Sequence, residues 1–402
     1  MSERDIDRLI DDVIKQEISR RQLLRRGAAG AMGMSAAAFL AACGGGSALS
    51  GKANTQTKVI PKGQIANQLN FSNWPLYIDV KGKKHPTLEE FTKKYGTNVK
   101  YTEEINDNNE FFGKVHQQFA TGNSGGRDII VLTDWMAGKI IRLGYVQKLN
   151  KAAMPNVTAN LTAVLKHPPS DPNRDYTVPW QSGQTGLIFR EDKVGNPDSI
   201  SEIFNPKYKG KVTMLTEMRD SVGLVMLANG KDPTTGSMKD MLAAVDTIDK
   251  YVKNGQIRRF TGNDYLKDLP RGDSWLVFGW SGDAVQLESD NKNIKFVQPK
   301  EGFMLWTDNM MVPVGAPHAY TAEVYMNFVY DPKIQAQISD YVNYVPPVRG
   351  VQQVLQKLDP PLAKSPLMFP DAATLQRAHA FKQLTPEEDD QLNNAFQRVI
   401  GA

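Results

Sequence analysis

The sequence predicts an α/β protein of two lobes, and three observations predict it. Extended apolar stretches alternate with amphipathic helical ones from about Asn67 onward, the pattern of strands covered by helices. Asp128-Ile129-Ile130-Val131-Leu132 is an uninterrupted apolar run, as expected of a parallel strand covered on both faces. Between Tyr176 and Arg190 the pattern changes, since TVPWQSGQTGLIFR reads as two short extended pieces around a Ser/Gly/Gln/Thr centre. That stretch is expected to be a crossing between lobes. With 402 residues, 41% hydrophobic and 23% charged, the chain is large enough for two cores. The net charge of +4 is small and the basic residues are interspersed with acids, which argues against a nucleic-acid footprint.

In chain order, Gln68 to Asn73 reads as a strand. Thr87-Leu88-Glu89-Glu90 reads as a capping box that opens a helix closed by Gly96. Val99 to Thr102 is a second strand, and Phe111, Val115 and Phe119 mark one face of a helix that runs up to Gly122. Thr133 to Trp135 then stand at the carboxyl end of the apolar strand, where open α/β sheets bind ligands. Beyond the crossing, Lys211 to Leu215 is a strand and Thr216 to Asp220 a turn into a helix ending near Asn229. Met238 to Val252 is an amphipathic helix. Strand, helix, strand and a last strand from Leu305 to Val314 follow, then helices over 322–330 and 333–341 and an extended break at Tyr344-Val345-Pro346-Pro347. A final helix has Thr385 at its N-cap and Pro386 at its first position.

Two local patterns point to chemistry. Trp280 precedes Asp283 by three residues and Trp306 precedes Asp308 by two. An indole face attracts an ammonium, and a neighbouring carboxylate adds a charged hydrogen bond. Catalytic signatures are missing. There is no G-x-G-x-x-G, P-loop or H-E-x-x-H, and the five histidines are scattered singly, so neither metal nor cofactor is expected. Gly279-Trp280-Ser281-Gly282-Asp283 fails the nucleophile-elbow spelling. Aromatics and carboxylates without a catalytic partner suit binding, and no enzyme is predicted.

The N-terminus carries an export reading. Ser19 to Arg25 resembles a twin-arginine signal, followed by an Ala- and Gly-rich run too short to span a membrane. Leu40-Ala41-Ala42-Cys43 then resembles a lipobox, and Cys43 is the sole cysteine. Residues 1–42 are therefore expected to be a signal peptide. Cys43 is expected to be lipidated, and 43–66 to form a flexible tether to the membrane.

From about Asn67 to its end the chain resembles the substrate-binding lipoproteins of bacterial spermidine/putrescine ABC transporters. The landmarks, in order, are Phe71 to Trp74 with Tyr77, Asp128 to Trp135, Tyr176 to Trp180, Leu215 to Asp220, Gly279 to Asp283, Met304 to Asp308, Tyr344 with Pro346, and Phe369 to Ala372. The resemblance implies a two-lobed periplasmic-binding-protein fold of type II with hinge strands between the lobes. Lobe 1 would comprise 67–181 plus 308–352, and lobe 2 would comprise 182–307 plus 353–402. It implies capture of putrescine or spermidine in the interlobe cleft by a monomer, and delivery to an ABC permease with its ATPase. Carried over by position, Trp74, Tyr77, Thr133 and Trp135 would flank the ligand from lobe 1. Glu217 and Asp220 would be an acidic pair from lobe 2, Trp280 would pack along the methylenes, and Asp283 would add an acid. Trp306 and Asp308 would hold one ammonium, and Tyr344 would contact the ligand near the hinge. Pro75, Leu76 and Phe381 depart from polar family positions and tilt the expectation toward a diamine. The rival readings are an exported sensor without a transport role, or a receptor for an agmatine-like cation or an amino acid. An amino acid would need a carboxylate clamp, for which Arg219 is the cleft candidate. Gln181, Ser182 and Gln184 are expected to line the crossing, and Trp180, Trp275 and Tyr101 to belong to the core.

Overall fold

The computed structural model describes residues 65–401; the expected signal peptide, Cys43 and nearly all of the tether lie outside them. One mixed sheet organises the chain. Its strands are β1 (Gln68–Asn73), β2 (Asn98–Glu103), β3 (Ile129–Thr133), β4 (Val178–Arg190), β5 (Val212–Leu215), β6 (Ile257–Thr261), β7 (Leu276–Trp280), β8 (Ile294–Val297), β9 (Phe303–Met311) and β10 (Ala378–His379). The main path runs β2-β1-β3-β9-β4-β7-β5-β6, with β10 beside β9 and β8 beside β4.

The register divides this sheet into two parallel units joined by an antiparallel pair. β1 is parallel to β2 and β3, and β5 is parallel to β6 and β7. Between the units, β9 runs antiparallel to β3 and β4, and β4 runs antiparallel to β7. The apolar run at Ile129 to Leu132 is thus a buried strand as expected, with a parallel neighbour on one side only. β4 and β9 pass from one unit to the other.

The crossing is one strand of 13 residues and not two pieces. Its first part pairs with β9 and its last part with β7 and β8, so partners are present along its whole length. Only a register shift between Pro179 and Gln181 interrupts it, where proline removes a donor. Glycine is needed within it, because a Cβ on Gly183 would lie 2.4 Å from the Trp306 ring.

The first helix, Pro86–Tyr95, starts one residue before the expected capping box, so Thr87 is not its N-cap. Asp79 does the capping from a preceding loop: its carboxylate accepts from the Thr87 backbone N–H at 2.9 Å and from the Thr87 hydroxyl. Gly96 closes the helix in the left-handed region, φ 72°, where a side chain is disfavoured. The final helix, Pro386–Ile400, has the expected Thr385 cap, reciprocated by Glu388. β6 was not expected from the sequence, since its Arg258 and Arg259 hide a strand behind charge; both guanidinium groups reach Asp268. β9 begins two residues earlier and ends three earlier than predicted. Trp180 is fully buried, whereas Trp275 and Tyr101 are only partly so. Among the described residues no helix is long and apolar enough to cross a membrane.

Asp79→Ala removes the cap from the buried Thr87 N–H and is expected to lower unfolding free energy by about 1–2 kcal/mol, measured by urea denaturation. Asp79→Asn, which keeps an acceptor, is expected to fall between the two.

Candidate functional site

The ends of several strands and the helices after them converge on one cavity of about 150 Å³. Trp74 follows β1, Thr133 ends β3, Glu217 and Asp220 follow β5, Trp280 ends β7, and Trp306 and Asp308 lie within β9. Strands of a parallel unit point the same way, so their carboxyl ends gather at one edge; that is why residues so distant in sequence meet. All eleven residues singled out from the sequence line this cavity.

Its walls are indole rings packed edge to face. Trp74 and Trp280 lie 5.8 Å apart at 84°, and Trp280 and Trp306 lie 6.4 Å apart at 77°. Trp306 in turn meets Tyr344 at 5.6 Å, and Tyr344 meets Tyr77 at 5.1 Å. Glycines permit this packing, since a Cβ on Gly282 would lie 2.4 Å from the Tyr344 ring.

The carboxylates are held by neutral donors. Asp308 accepts from the hydroxyls of Tyr77 at 2.9 Å and Thr133 at 2.8 Å. Asp283 accepts from Tyr265 at 2.6 Å, Tyr344 at 2.8 Å and the Asn263 amide at 3.0 Å. Asp220 accepts from Thr185 at 2.8 Å and the Trp280 indole N–H at 3.0 Å. Glu217 accepts from the Asn108 backbone at 2.6 Å and the Asn108 amide at 2.8 Å. Among the described residues no lysine or arginine forms an ion pair with any of the four. Burial therefore dominates and disfavours their charged forms. It pushes Asp308 up to about 7, and Asp283 and Asp220 each up to about 6, against the pull of their hydrogen bonds. Glu217 rises well above its ordinary value through burial and the nearby Asp107 charge.

Three details change the sequence picture. The Trp280 indole pairs with Asp220 and not with Asp283 three residues on; Trp280 ends β7 while Asp283 sits in the first turn of the next helix, facing Tyr265 and Tyr344. The Trp306 N–H donates to Thr185 at 2.9 Å, which itself donates to Asp220, so both indoles converge on that one acid. Trp135 is partly occupied, because the Arg219 guanidinium lies 3.6 Å from its ring centre. Arg219 is buried and pairs with Asp389 at 2.6 Å, so the guanidinium considered as a carboxylate clamp already holds an internal acid. Gln181, Ser182 and Gln184 are buried but do not line the cavity: Ser182 meets Thr307, and Gln184 meets Leu367 and Gln298.

The sequence reading missed Asn263, Tyr265 and Thr185. No local signal marks the first two: Asn263 lies just before, and Tyr265 begins, the short helix Tyr265–Arg271; only the fold brings them to Asp283. Thr185 sits in β4 opposite Trp280 and Met304, a placement that requires the register. Ser281 is fully buried, and its hydroxyl accepts from the Gln184 backbone N–H at 3.3 Å.

Two parallel units joined by shared strands around a partly open, aromatic-walled cavity define a two-lobed solute-binding protein. Residues 87–370 match the family model described as bacterial extracellular solute-binding protein, and the chain belongs to that family. It is 27% identical over 314 residues to the spermidine/putrescine-binding periplasmic protein of Escherichia coli, covering 77% of this chain and 85% of that protein. It is also 27% identical over 355 residues to the putrescine-binding periplasmic protein PotF of the same organism, covering 82% and 90%. The TpPotD lipoprotein of Treponema pallidum has the same fold, with a TM-score of 0.70 and 18% identity over 83% of this chain and 100% of that one.

The sign of the pH effect follows from the raised acids. Each binds its proton more tightly folded than unfolded, so its contribution is favourable below its unfolded pKa and is lost as pH rises through the folded value. The ligand-free protein is therefore expected to lose melting temperature between about pH 4 and 7 from these groups, and Asp308→Asn to flatten part of that slope. Parallel slopes for the two proteins, by scanning calorimetry, would contradict the assignment to Asp308.

Proposed function

We propose that this protein is the extracytoplasmic receptor of a polyamine ABC importer, capturing putrescine or spermidine and presenting it to a permease coupled to an ATPase. The observation that carries the reading is that Asp283 and Asp308, both buried and without an ion pair to lysine or arginine, face a wall of indole rings in one cavity, with the half-buried Asp220 beside them. Buried acids without cations are costly; an entering dication supplies the missing partners. Asp283 and Asp308 are assigned to the two ammonium ends, and the methylenes to the Trp280 and Trp306 faces, where desolvation strengthens the cation–π attraction. The names of the relatives support the same ligand class.

The lobes are assigned as 67–181 plus 308–352 and 182–307 plus 353–402. The topology supports this division, since β4 and β9 are the strands shared by both units. Closure about these strands would bury the ligand, favoured by contacts that the ligand makes only in the closed form. The protein is assigned as a monomer held to the membrane by a lipid on Cys43 after twin-arginine export. An amino-acid ligand is disfavoured by the engagement of Arg219 with Asp389.

Titration calorimetry with putrescine, spermidine, agmatine and arginine tests the reading: micromolar or tighter binding of a polyamine is expected, and millimolar or weaker binding of all four would overturn it. Asp308→Asn is expected to weaken polyamine binding by about 1.5–3 kcal/mol, the range for a hydrogen bond to a charged group. Unchanged affinity would remove Asp308 from the site.

A further inference from the structure

Asn108 was not marked by any sequence signal, yet it joins the two sides of the cavity. It is fully buried at the start of the helix Asn108–Ala120, between β2 and β3. Its amide nitrogen donates to the Thr133 hydroxyl at 2.9 Å and to Glu217 Oε1 at 2.8 Å. Its amide oxygen accepts from the Thr133 backbone N–H at 3.2 Å, and its own backbone N–H donates to the same Glu217 oxygen at 2.6 Å. The opposite amide orientation would set an oxygen against the carboxylate and an NH₂ against an N–H, so these partners fix it.

That orientation has a directional consequence. A hydroxyl has one proton, and the Asn108 amide can only donate to it. With Asp308 ionised, Thr133 therefore gives its proton to Asp308, at 2.8 Å. The ionised Asp308 that an ammonium would meet is thereby held as an acceptor, with its second oxygen taken by Tyr77. In the other direction, Glu217 stands beyond β5, in the other parallel unit of the sheet. Neighbouring contacts cross between the same two sides: Asn106 Oδ1 accepts from the Asn263 backbone N–H at 3.0 Å, Asn109 donates to Asn393 at 3.1 Å, and Lys139 pairs with Asp389 at 3.2 Å.

We infer that Asn108 is a positioning residue for ligand capture, and that Glu217 serves as its clasp across the cleft and not as an ammonium ligand. Closing the cleft brings Glu217 onto the two Asn108 donors. The same amide then orders Thr133 and Asp308, so closure and readiness of the ammonium acceptor are set together. This inference rests on the polyamine reading for its ligand, while the clasp itself is a property of the chain.

The test uses putrescine and the full chain with four variants: Asn108→Ala, Glu217→Ala, Glu217→Gln and the double alanine. Loss of a hydrogen bond to a charged group corresponds to roughly tenfold or more in affinity. Asn108→Ala and Glu217→Ala are each expected to lose about that much, chiefly in dissociation rate, and the double variant no more than either single one. Glu217→Gln keeps the oxygen that accepts both Asn108 donors and is expected to rescue binding. If Glu217 bound an ammonium, loss of its charge would make Gln as damaging as Ala, and that result would overturn the clasp. Unaltered binding by Asn108→Ala would overturn the positioning role. If an alanine variant folds poorly, the Gln variant alone still separates the two roles. Should the wild-type chain bind no polyamine, the preceding reading fails, and the clasp is read from ligand-free protein by small-angle scattering. A more extended Asn108→Ala profile than wild type supports the clasp; superimposable profiles refute it.

Discussion

Three buried carboxylates, Glu217, Asp283 and Asp308, and the half-buried Asp220, none of them ion-paired to a lysine or arginine, are the constraint on which the rest of the molecule turns. A carboxylate taken from water loses solvation that only a partner charge or several hydrogen bonds can replace. Here the replacements are hydroxyls, amides and indole N–H groups, enough to hold the side chains in place and too weak to keep Asp308, Asp283 and Asp220 at ordinary acidity. The site is built for a cationic guest and is protonated in part while it waits.

The scaffold explains how these groups are held. Each parallel unit gathers its strand ends at one edge, and β4 and β9 carry the chain between units. Donors to a given acid come from different segments: Tyr77 and Thr133 for Asp308, Tyr265, Asn263 and Tyr344 for Asp283. Because Trp280 and Trp306 converge on Asp220 directly and through Thr185, the aromatic wall and the acidic floor form one hydrogen-bonded unit. A change in ring position is therefore felt by the acid.

Much of this was legible in the sequence because strand and helix periodicity are local. The apolar run at Ile129 to Leu132, the helix face of Phe111, Val115 and Phe119, and the Thr385 cap all follow from neighbours a few residues away. Membership of one cavity by the eleven singled-out residues was legible through the resemblance, which carried positions that periodicity alone does not join. What was not legible is partner choice. Trp280 pairs with Asp220 and not Asp283 because a strand end and a helix turn point differently. The Thr87 capping box yields to Asp79, and β4 is continuous because β7, β8 and β9 supply partners that no local rule foresees. Asn108, an unremarkable asparagine in sequence, acquires its role only when Thr133 and Glu217 are brought to either side of it.

The central claim is that a polyamine replaces protons on the buried acids. Calorimetric titration with putrescine at about pH 6.5, in two buffers of different ionisation enthalpy, measures the protons exchanged. Net proton release that fades as the pH is raised above the acids' pKa values is the predicted result. Tight binding with no proton release at about pH 6.5 would contradict the account, because the acids would then already be charged in the empty site.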